Sequence, residues 1–453
     1  MYLLKESHPT SLVKKILIFS ILNVFLLSLI LVILGTPLKE TVLGTTKSFL
    51  THSQSVDSWM PMLKAFRYFC LNPNSDLYGE IFFREGVKFQ YPLTSLLIFY
   101  PFLPILGVPP EDIIHTKWLG LLKIVSWLSM LVSFYFVYCI FKRSSNGVGL
   151  IKTDQIVAAL ATALLAFTFY PHTKAYELGQ IQNWLNCLFS ISLLAWINGQ
   201  KKVAGSLLAL MTLVKPQYGV ILIWALIRRQ WSFLTSFLPT LSIGIFASVL
   251  VFGWTNNLNY LKVIAFISKR GESVYPNQSF NGLINRLLFN GNIDIWSTSF
   301  PPFNPWVYLG TLITSIVLLA FALYVPRWTS PKYGSSIDFS IMVLTCTMAS
   351  PIAWEHHYGI LLPIYALTAP LVLQSQGHGS KLLTFCFALS YLLTSNRFSM
   401  SLKLSYSDFN LNILQSYLFF GALIFLVILY TLRSRLKNTS SPTQAFEKDY
   451  PKI

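Results

Sequence analysis

Long runs of apolar residues, separated by short polar connections, dominate this chain. Segments apolar enough to lie in a membrane recur at 15–34, 117–141, 155–170, 181–197, 232–253, 304–325, 338–349, 357–373, 381–394 and 411–432. Within the first, residues 16–34 carry no charge and are long enough to span a hydrocarbon layer of roughly 30 Å. No small-residue cleavage pattern follows this stretch, so we interpret it as a retained first span and not as a signal peptide. The pattern predicts an all-α polytopic membrane protein.

Composition supports the same class. Of 453 residues, 54% are hydrophobic and only 11% are charged, which is too little charge to cover a soluble surface of this size. The net charge of +17 comes from basic residues scattered at the ends of apolar segments. They form no basic stripe, so a topogenic role fits better than nucleic-acid binding. The five cysteines show no metal-ligand spacing.

The distribution of charge among the loops predicts the topology. Loops rich in Lys and Arg are expected in the cytoplasm, and most acidic residues lie in the other set of loops. This partition requires residues 91–106 to lie along the outer interface without crossing. It also requires residues 203–227 to form two short helices that rise and fall. The result is about twelve membrane segments in the plasma (inner) membrane, with both termini and a tail over 437–453 in the cytoplasm.

The polytopic domain therefore covers residues 1–436. Its two long outer loops are predicted at about 35–115 and 254–303. The prediction of two short helices over residues 203–227 has independent support, because Lys215-Pro216-Gln217 lies at the centre of this stretch. A lysine in the middle of a single spanning helix costs about 2.5–3.5 kcal/mol on insertion scales. Proline also tends to break the helix. Two half-spans would place Lys215 at the floor of an outer, water-filled cavity.

Four polar clusters interrupt the apolar pattern on the predicted outer side. They are Asp57 after the first span, the stretch from Tyr176 through Gln180 to Asn183, Lys215-Pro216-Gln217, and the stretch 350–358 with Glu355, His356 and His357. Each has an ordinary alternative, because a lone aspartate or an amide at a helix start is often a cap. Adjacent histidines can bind a metal, but no further His or Cys stands at matching spacing, so we predict no metal. A further outer stretch contains Asn277, Gln278 and Arg286; Asn277-Gln278-Ser279 also matches a glycosylation triplet, which is common by chance.

These clusters, in this order, resemble glycosyltransferase family 87 of the GT-C superfamily, the polyprenol-phosphate-mannose-dependent mannosyltransferases. The likeness covers nearly the whole chain. It includes Gly179-Gln180, Lys215-Pro216-Gln217, Asn277-Gln278-Ser279 with Gly282 and Arg286, and Ser350-Pro351 with the stretch 354–358. Two positions depart from the family pattern. Gln182 stands where the family usually has Asn, and Leu93 follows Tyr91-Pro92 where the family favours a second proline.

The resemblance implies a GT-C-type bundle and an inverting hexosyl transfer, with mannose the expected sugar. The donor would be a polyprenyl-phosphate sugar, and the acceptor a hydroxyl of a glycan, glycolipid or other molecule at the outer face. Asp57 matches the superfamily's catalytic base. Residues expected to hold the phosphate or other parts of the substrates are Tyr91, Gln180, Lys215, Gln217, Asn277, Gln278, Arg286, Glu355, His356 and His357. The activated lipid supplies the energy, so no cofactor is expected, and the sequence has no P-loop or dinucleotide fingerprint.

Two other classes remain open from the sequence. A transporter or flippase for lipid-linked sugars would also have broken helices and polar residues at membrane depth. A ligase of lipid-linked saccharides would share the outward-facing site and the lipid-phosphate leaving group. Against a transporter, the first outer loop is long, the polar clusters are predicted on one side, and no inverted repeat is visible.

Overall fold

Helices make up the framework of the protein. The computed structural model describes residues 9–33, 35–100, 117–145, 152–293, 296–297, 299–324, 332–375, 379–398 and 413–438. Within these ranges, the β-type pairing consists of one isolated antiparallel bridge between Asn277 and Trp354.

Each predicted apolar segment coincides with helical structure. The helices are Pro9–Ile21 (continued by a π-helical turn, Leu22–Leu26, and by Leu27–Ile33), Lys117–Ser145, Lys152–Phe167, Gln182–Ile197, Trp231–Phe252, Pro305–Tyr324, Lys332–Met348, Leu361–Leu373 (preceded by a 3-10 turn, Glu355–Ile360), Ser380–Ser395 and Tyr417–Asn438. The third is followed by Tyr170–Glu177 after a bend of 51°.

Six of the described helices are long and apolar enough to cross a membrane, or seven if the bent pair is one span. This establishes a multi-pass membrane protein. The total of about twelve segments stays a prediction. The predictions for 101–106 and for most of the tail concern residues outside the described ranges, while residues 93–98 form a short 3-10 helix.

Burial shows which helices face outward. In Trp231–Phe252 and Pro305–Tyr324, only 17% of the most apolar window is buried, so apolar side chains cover the exterior. Glu355–Leu373 is 83% buried and runs through the interior. Lipid tails satisfy an apolar exterior as water would not, which leaves the interior for polar groups.

The segment 201–227 runs out and back beside one helix, Lys332–Met348. It consists of the helix Lys201–Val214, a break at Lys215, the 3-10 turn Pro216–Val220 and the helix Ile221–Ile227. At its start the Lys201 ammonium donates to Ser335 Oγ (3.3 Å), and near its end the Trp224 indole donates to Asp338 (2.9 Å). From its middle, Tyr218 OH lies 3.3 Å from Thr347 Oγ1. Ser335 and Thr347 are about 18 Å apart along the helix, so Lys215 lies far from both basic ends.

A buried ion cluster fixes the end of the bundle opposite Lys215. Asp338 accepts hydrogen bonds from Arg228 Nε (2.9 Å), Arg433 Nη1 and Trp224 Nε1 (2.9 Å). Arg228 also donates to the carbonyls of Ala322 and Leu323, both at 3.3 Å. Because both arginines share a carboxylate, three segments that are distant in the chain are held together at the side predicted to be cytoplasmic.

The predicted outer loops are folded layers and not open connections. Described residues of the first form the 3-10 turn Leu38–Glu40, the helices Val42–Leu50 and Trp59–Leu71, the π-helical segment Gly79–Arg84 and the 3-10 helix Leu93–Ile98; those of the second form the helices Trp254–Arg270 and Phe280–Leu287. Trp59, Phe66, Tyr78, Phe89 and Val263 belong to an apolar cluster distinct from the core of the bundle. This second core gives the first loop a fixed position, which the site requires.

Candidate functional site

One large cavity brings the predicted clusters together. Its volume is about 990 Å³, in the range of a site for an extended small molecule. Of the residues predicted from the sequence, it is lined by Asp57, Tyr91, Gln180, Lys215, Gln217, Glu355, His356 and His357. They come from the first loop, the turn after the bent helix pair, the break at Lys215 and the start of the interior segment Glu355–Leu373.

A backbone contact holds Asp57 at the cavity. The amide of Ser55 donates to Glu177 O (2.8 Å), that of Asp57 to Leu178 O (2.9 Å) and that of Ser58 to Gly179 O (3.3 Å). Gly179 has φ +67°, and a Cβ there would lie 2.1 Å from Ser55 O. Only glycine fits both the left-handed backbone and the close approach. This explains why glycine precedes Gln180 in the motif.

The Asp57 carboxylate does not act as a helix cap. The helix Trp59–Leu71 has Ser58 at its N-cap, with no side-chain cap hydrogen bond. Asp57 Oδ2 instead accepts a hydrogen bond from Gln180 Nε2. Gln180 likewise leaves its own helix start, Gln182–Ile197, without a side-chain cap. Both residues are therefore directed at each other and at the cavity.

The surroundings of Asp57 favour a proton acceptor. Its side chain is exposed to the cavity, but the protein around the carboxyl displaces bulk water. This desolvation raises the pKa of Asp57 above its usual 3.8, while the Gln180 hydrogen bond and the Lys174 charge act in the opposite direction. The Lys174 ammonium itself pairs with Glu177 at 2.7 Å.

Lys215 forms the second charged pole of the cavity. It is 6% exposed, and its Nζ contacts His357 Nε2. None of the ion pairs in the described residues includes Lys215. His357 Nδ1 and His356 Nε2 are buried without a hydrogen-bond partner. The Lys215 amine and two imidazole nitrogens without partners are groups that could bind an anion, which stays a prediction.

Glu355 is held by tyrosines. Its Oε2 accepts from Tyr170 OH at 2.9 Å and its Oε1 from Tyr417 OH at 3.2 Å. Arg397 lies near this group, where it donates to Tyr275 OH (2.6 Å) and pairs with Glu40 at 3.8 Å. Because both Glu355 oxygens already accept hydrogen bonds, this acid is more constrained than Asp57.

Three of the predicted site residues lie behind the cavity wall. Asn277, Gln278 and Arg286 are all 0% exposed and do not line the cavity. The Asn277 amide binds the carbonyls of Glu272 (2.8 Å) and Pro351 (3.2 Å), and its Oδ1 accepts from the Ala353 amide (3.0 Å).

The other two residues reach the last helix. The Gln278 amide donates to Gln415 O at 2.7 Å, and Arg286 donates to Ser416 Oγ at 2.6 Å and Asn277 O at 3.0 Å. In this structure the motif therefore ties three segments together and supports the stretch that carries Glu355. Contact of these residues with substrate stays a prediction, and a buried Asn277 is no accessible glycosylation site.

Several charged cavity residues were not predicted from the sequence. Lys64, Lys88, Lys174 and Arg397 line the cavity together with Trp296. Lys88 pairs with Glu272 and lies over the Trp296 ring, 4.2 Å from its centroid. Burial raises the pKa of Glu272 to about 7, although Lys88 opposes the shift. Lys64 and Lys174 lie inside helices, and Lys88 and Arg397 lie in loops. None of the four belongs to a recognisable motif, so no local pattern marks it.

The described residues contain no group of three or more His, Cys, Asp or Glu side chains that could hold a metal ion. In these parts of the chain, His356 and His357 thus belong to no set of three ligands that could hold a metal. The absence of a metal from the chemistry remains a prediction.

Comparison with known proteins gives two findings. A model of glycosyltransferase family 87 matches residues 89–351, more than half of the chain. One curated relative, the polyprenol-phosphate-mannose-dependent alpha-(1-2)-phosphatidylinositol pentamannoside mannosyltransferase of Mycolicibacterium smegmatis, is 23% identical over 289 residues. That alignment covers 63% of this chain and 62% of the relative, which is less than two thirds of the relative's length. Asp57 and the stretch 355–357 lie outside the family match, so the case for them depends on the geometry of the cavity.

Gly179→Ala is expected to lower the melting temperature of the purified protein in detergent. The new Cβ would meet Ser55 O, and the left-handed backbone adds about 1–2 kcal/mol of strain. Gly199→Ala is the matched control, because Gly199 also has a positive φ (+80°), but a Cβ added there would have open space for 4 Å around it. Equal losses of melting temperature in the two variants would show that the contact between Gly179 and Ser55 is loose.

Proposed function

We propose that this chain, which belongs to glycosyltransferase family 87, transfers a hexose from a polyprenyl-phosphate donor to an acceptor hydroxyl. Mannose is the sugar favoured by the relative's name, and a glycan or glycolipid is the favoured acceptor class. The observation that carries the proposal is one cavity with a partly desolvated carboxylate, Asp57, and an anion site at Lys215. We place this cavity at the outer face of the plasma membrane, because the basic ends of the segment 201–227 lie at the opposite end of the bundle.

In this proposal Asp57 is the general base. Its carboxylate takes the proton of the acceptor hydroxyl while that oxygen attacks the anomeric carbon of the donor sugar. The bond from the anomeric carbon to the phosphate oxygen breaks in the same displacement, and its electron pair leaves on the phosphate. A single displacement inverts the anomeric configuration. The raised pKa makes Asp57 a stronger proton acceptor than an ordinary aspartate.

The anion site would receive the lipid phosphate. Negative charge builds on the phosphate as its bond to the anomeric carbon breaks, so donors already placed at that position lower the barrier. Lys215 has no carboxylate partner in the described residues, and its contact with His357 leaves ammonium hydrogens to donate. His356 and His357 add the buried nitrogens without partners. The phosphate leaves already ionised, so this mechanism needs no general acid.

The competing transporter and ligase hypotheses are separated by one assay. Purified protein in detergent is incubated with polyprenyl-phosphate mannose and a mannosylated glycolipid. Loss of the donor with formation of a new glycosidic bond supports the proposal. If no donor is consumed in detergent and the protein moves the lipid-linked sugar across a vesicle membrane, the result would contradict the proposal in favour of a transporter. Transfer of a preassembled oligosaccharide but not of a single hexose would contradict it in favour of a ligase.

Asp57→Asn is expected to reduce transfer by about 10²–10⁴-fold, because an amide cannot accept the acceptor's proton. Donor binding and expression should stay near normal, since asparagine keeps the size of the side chain and one oxygen that can still accept from Gln180 Nε2. The measurement is steady-state transfer, with donor binding followed separately. Asp76→Asn is the control, because Asp76 is a loop aspartate whose carboxylate accepts a hydrogen bond from the Gly79 amide (2.9 Å). Near-normal transfer by Asp57→Asn would remove Asp57 from the mechanism and make Glu355 the next acid to test.

Lys215→Met is expected to lower kcat/KM for the donor by about 10–100-fold, the size of a lost hydrogen bond to a charged group. The variant should be extracted at normal yield, because methionine fills similar space without a charge. Lys262→Met, at an exposed lysine of Trp254–Arg270 that does not line the cavity, is the control. Failure of Lys215→Met alone to accumulate would identify Lys215 as a structural residue and contradict its role in binding phosphate.

The proposed sidedness predicts which positions an impermeant thiol reagent labels. In a variant without the five native cysteines, Ser55→Cys and Gln217→Cys are expected to be labelled from outside. Asn198→Cys, at an exposed position near Lys201 and the opposite end of the bundle, should be labelled only after the membrane is opened. Labelling of Gln217→Cys from the cytoplasmic side alone would contradict the outward-facing cavity.

A further inference from the structure

The Gln180 side chain joins three other side chains at the cavity. Its Oε1 faces two hydroxyls, with the Ser58 hydroxyl in contact and Tyr91 OH at 3.5 Å. Its Nε2 faces Asp57 Oδ2. Ser58 Oγ and Tyr91 OH are themselves 2.9 Å apart. Gln180 thus lies between a pair of hydroxyls and a carboxylate.

These partners determine which way the amide points. Hydroxyl groups can donate to the amide oxygen, whereas an ionised carboxylate can only accept. The amide flipped by 180° would set its oxygen against the Asp57 carboxylate, with both atoms acceptors. The consistent arrangement runs in one direction: Tyr91 OH donates to Ser58 Oγ, Ser58 donates to Gln180 Oε1, and Gln180 Nε2 donates to Asp57 Oδ2. Aligned hydrogen bonds of this kind polarise and strengthen one another.

Burial makes this chain of hydrogen bonds persistent. Gln180 is 7% exposed and Ser58 is 2% exposed, so little water competes with the two inner links. The backbone contact at Gly179 holds the segment of Asp57 and Ser58 against the segment of Gln180. The chain ends on one oxygen of Asp57, and Oδ1 accepts no hydrogen bond from the described residues.

We propose that Gln180 is a positioning residue for the base, oriented by Tyr91 and Ser58, and that it holds Asp57 Oδ2 so that Oδ1 receives the acceptor's proton. This inference rests on the proposed function of Asp57. It gives Gln180 and Tyr91 a role through the base, whereas the resemblance implies contact with the substrate. It also adds Ser58, for which the sequence predicts no role.

Other charged groups face Asp57 and stay constant in the test. Lys174 lies near the carboxylate and favours its ionised form, while its own partner is Glu177. Burial raises the pKa of the Tyr91 hydroxyl above its usual 10, and the Asp57 charge raises it further. Lys64 lines the same cavity. None of these groups is changed when the Gln180 amide is removed.

Gln180→Met removes the oxygen and the nitrogen of the amide and keeps the length of the side chain. Without its donor the carboxylate is less stabilised, so the pKa of Asp57 rises. As the pH is lowered, a base with a raised pKa becomes protonated earlier, at a higher pH. The acid limb of the kcat/KM profile should therefore move up by about one pH unit. Because Asp57 is then misoriented, kcat at neutral pH should fall by at least about tenfold. The KM for the donor should stay within about twofold of the wild-type value.

Two further variants and one control show whether the hydrogen bonds cause the shift of the acid limb. They remain informative if Gln180→Met fails to fold. Gln180→Glu places a second carboxyl against Asp57, so the two share a proton and the acid limb moves up further than in Gln180→Met. Tyr91→Phe removes only the hydroxyl at the far end of the chain of hydrogen bonds. It should shift the acid limb in the same direction by less, and Asn183→Ala, on the same helix start but bonded to Ser126 O (2.6 Å), should not shift it.

The outcomes separate this inference from the function it rests on. Absence of transfer by the wild-type protein contradicts the proposed function itself. Normal transfer by the wild type, with a raised donor KM and an unchanged pH profile in Gln180→Met, overturns the positioning role and makes Gln180 a substrate-binding residue. An acid limb that moves in Gln180→Met and Tyr91→Phe but not in Asn183→Ala supports the chain of hydrogen bonds.

Discussion

A polar side chain that faces lipid has no partner, and this cost determines how the protein is arranged. The outer helices, Trp231–Phe252 and Pro305–Tyr324, carry apolar side chains on most of their exposed positions. Charged and amide groups are gathered inside, at the cavity and at the Asp338 cluster. Because both sets of polar groups need partners within the protein, each holds together segments that are distant in the chain.

The two poles of the cavity depend on different kinds of support. Asp57 is placed by backbone hydrogen bonds that only a glycine at 179 allows, and its carboxylate is then oriented by side chains. Lys215 is placed by a helix break between two helices that pack inside the bundle. The proposed base therefore belongs to the folded outer layer, and the proposed anion site belongs to the bundle. In the proposed mechanism the reaction takes place where these two layers meet.

Much of the fold could be predicted, because its signals are local. Apolar length gives the helices, and lysine with proline at 215–216 gives the break. For the site, the sequence indicated Asp57, Lys215 and His357, and the structure brings these to one cavity. The same reasoning grouped Arg286 with them, although its guanidinium lies behind the wall on Ser416 and Asn277. An arginine in a polar loop has the same local pattern whether it binds a ligand or supports a loop.

By itself, the sequence determined the class of protein, the approximate helix bounds and the short list of polar clusters, since these follow from apolar length, charge and helix-breaking residues. Tertiary structure alone decided which of the clusters share a cavity and what each side chain touches. Gln180 has one partner in Asp57 and another in Ser58, more than 120 positions away along the chain. Such contacts depend on how separate helices pack, and packing is a property of the whole chain that no local pattern carries.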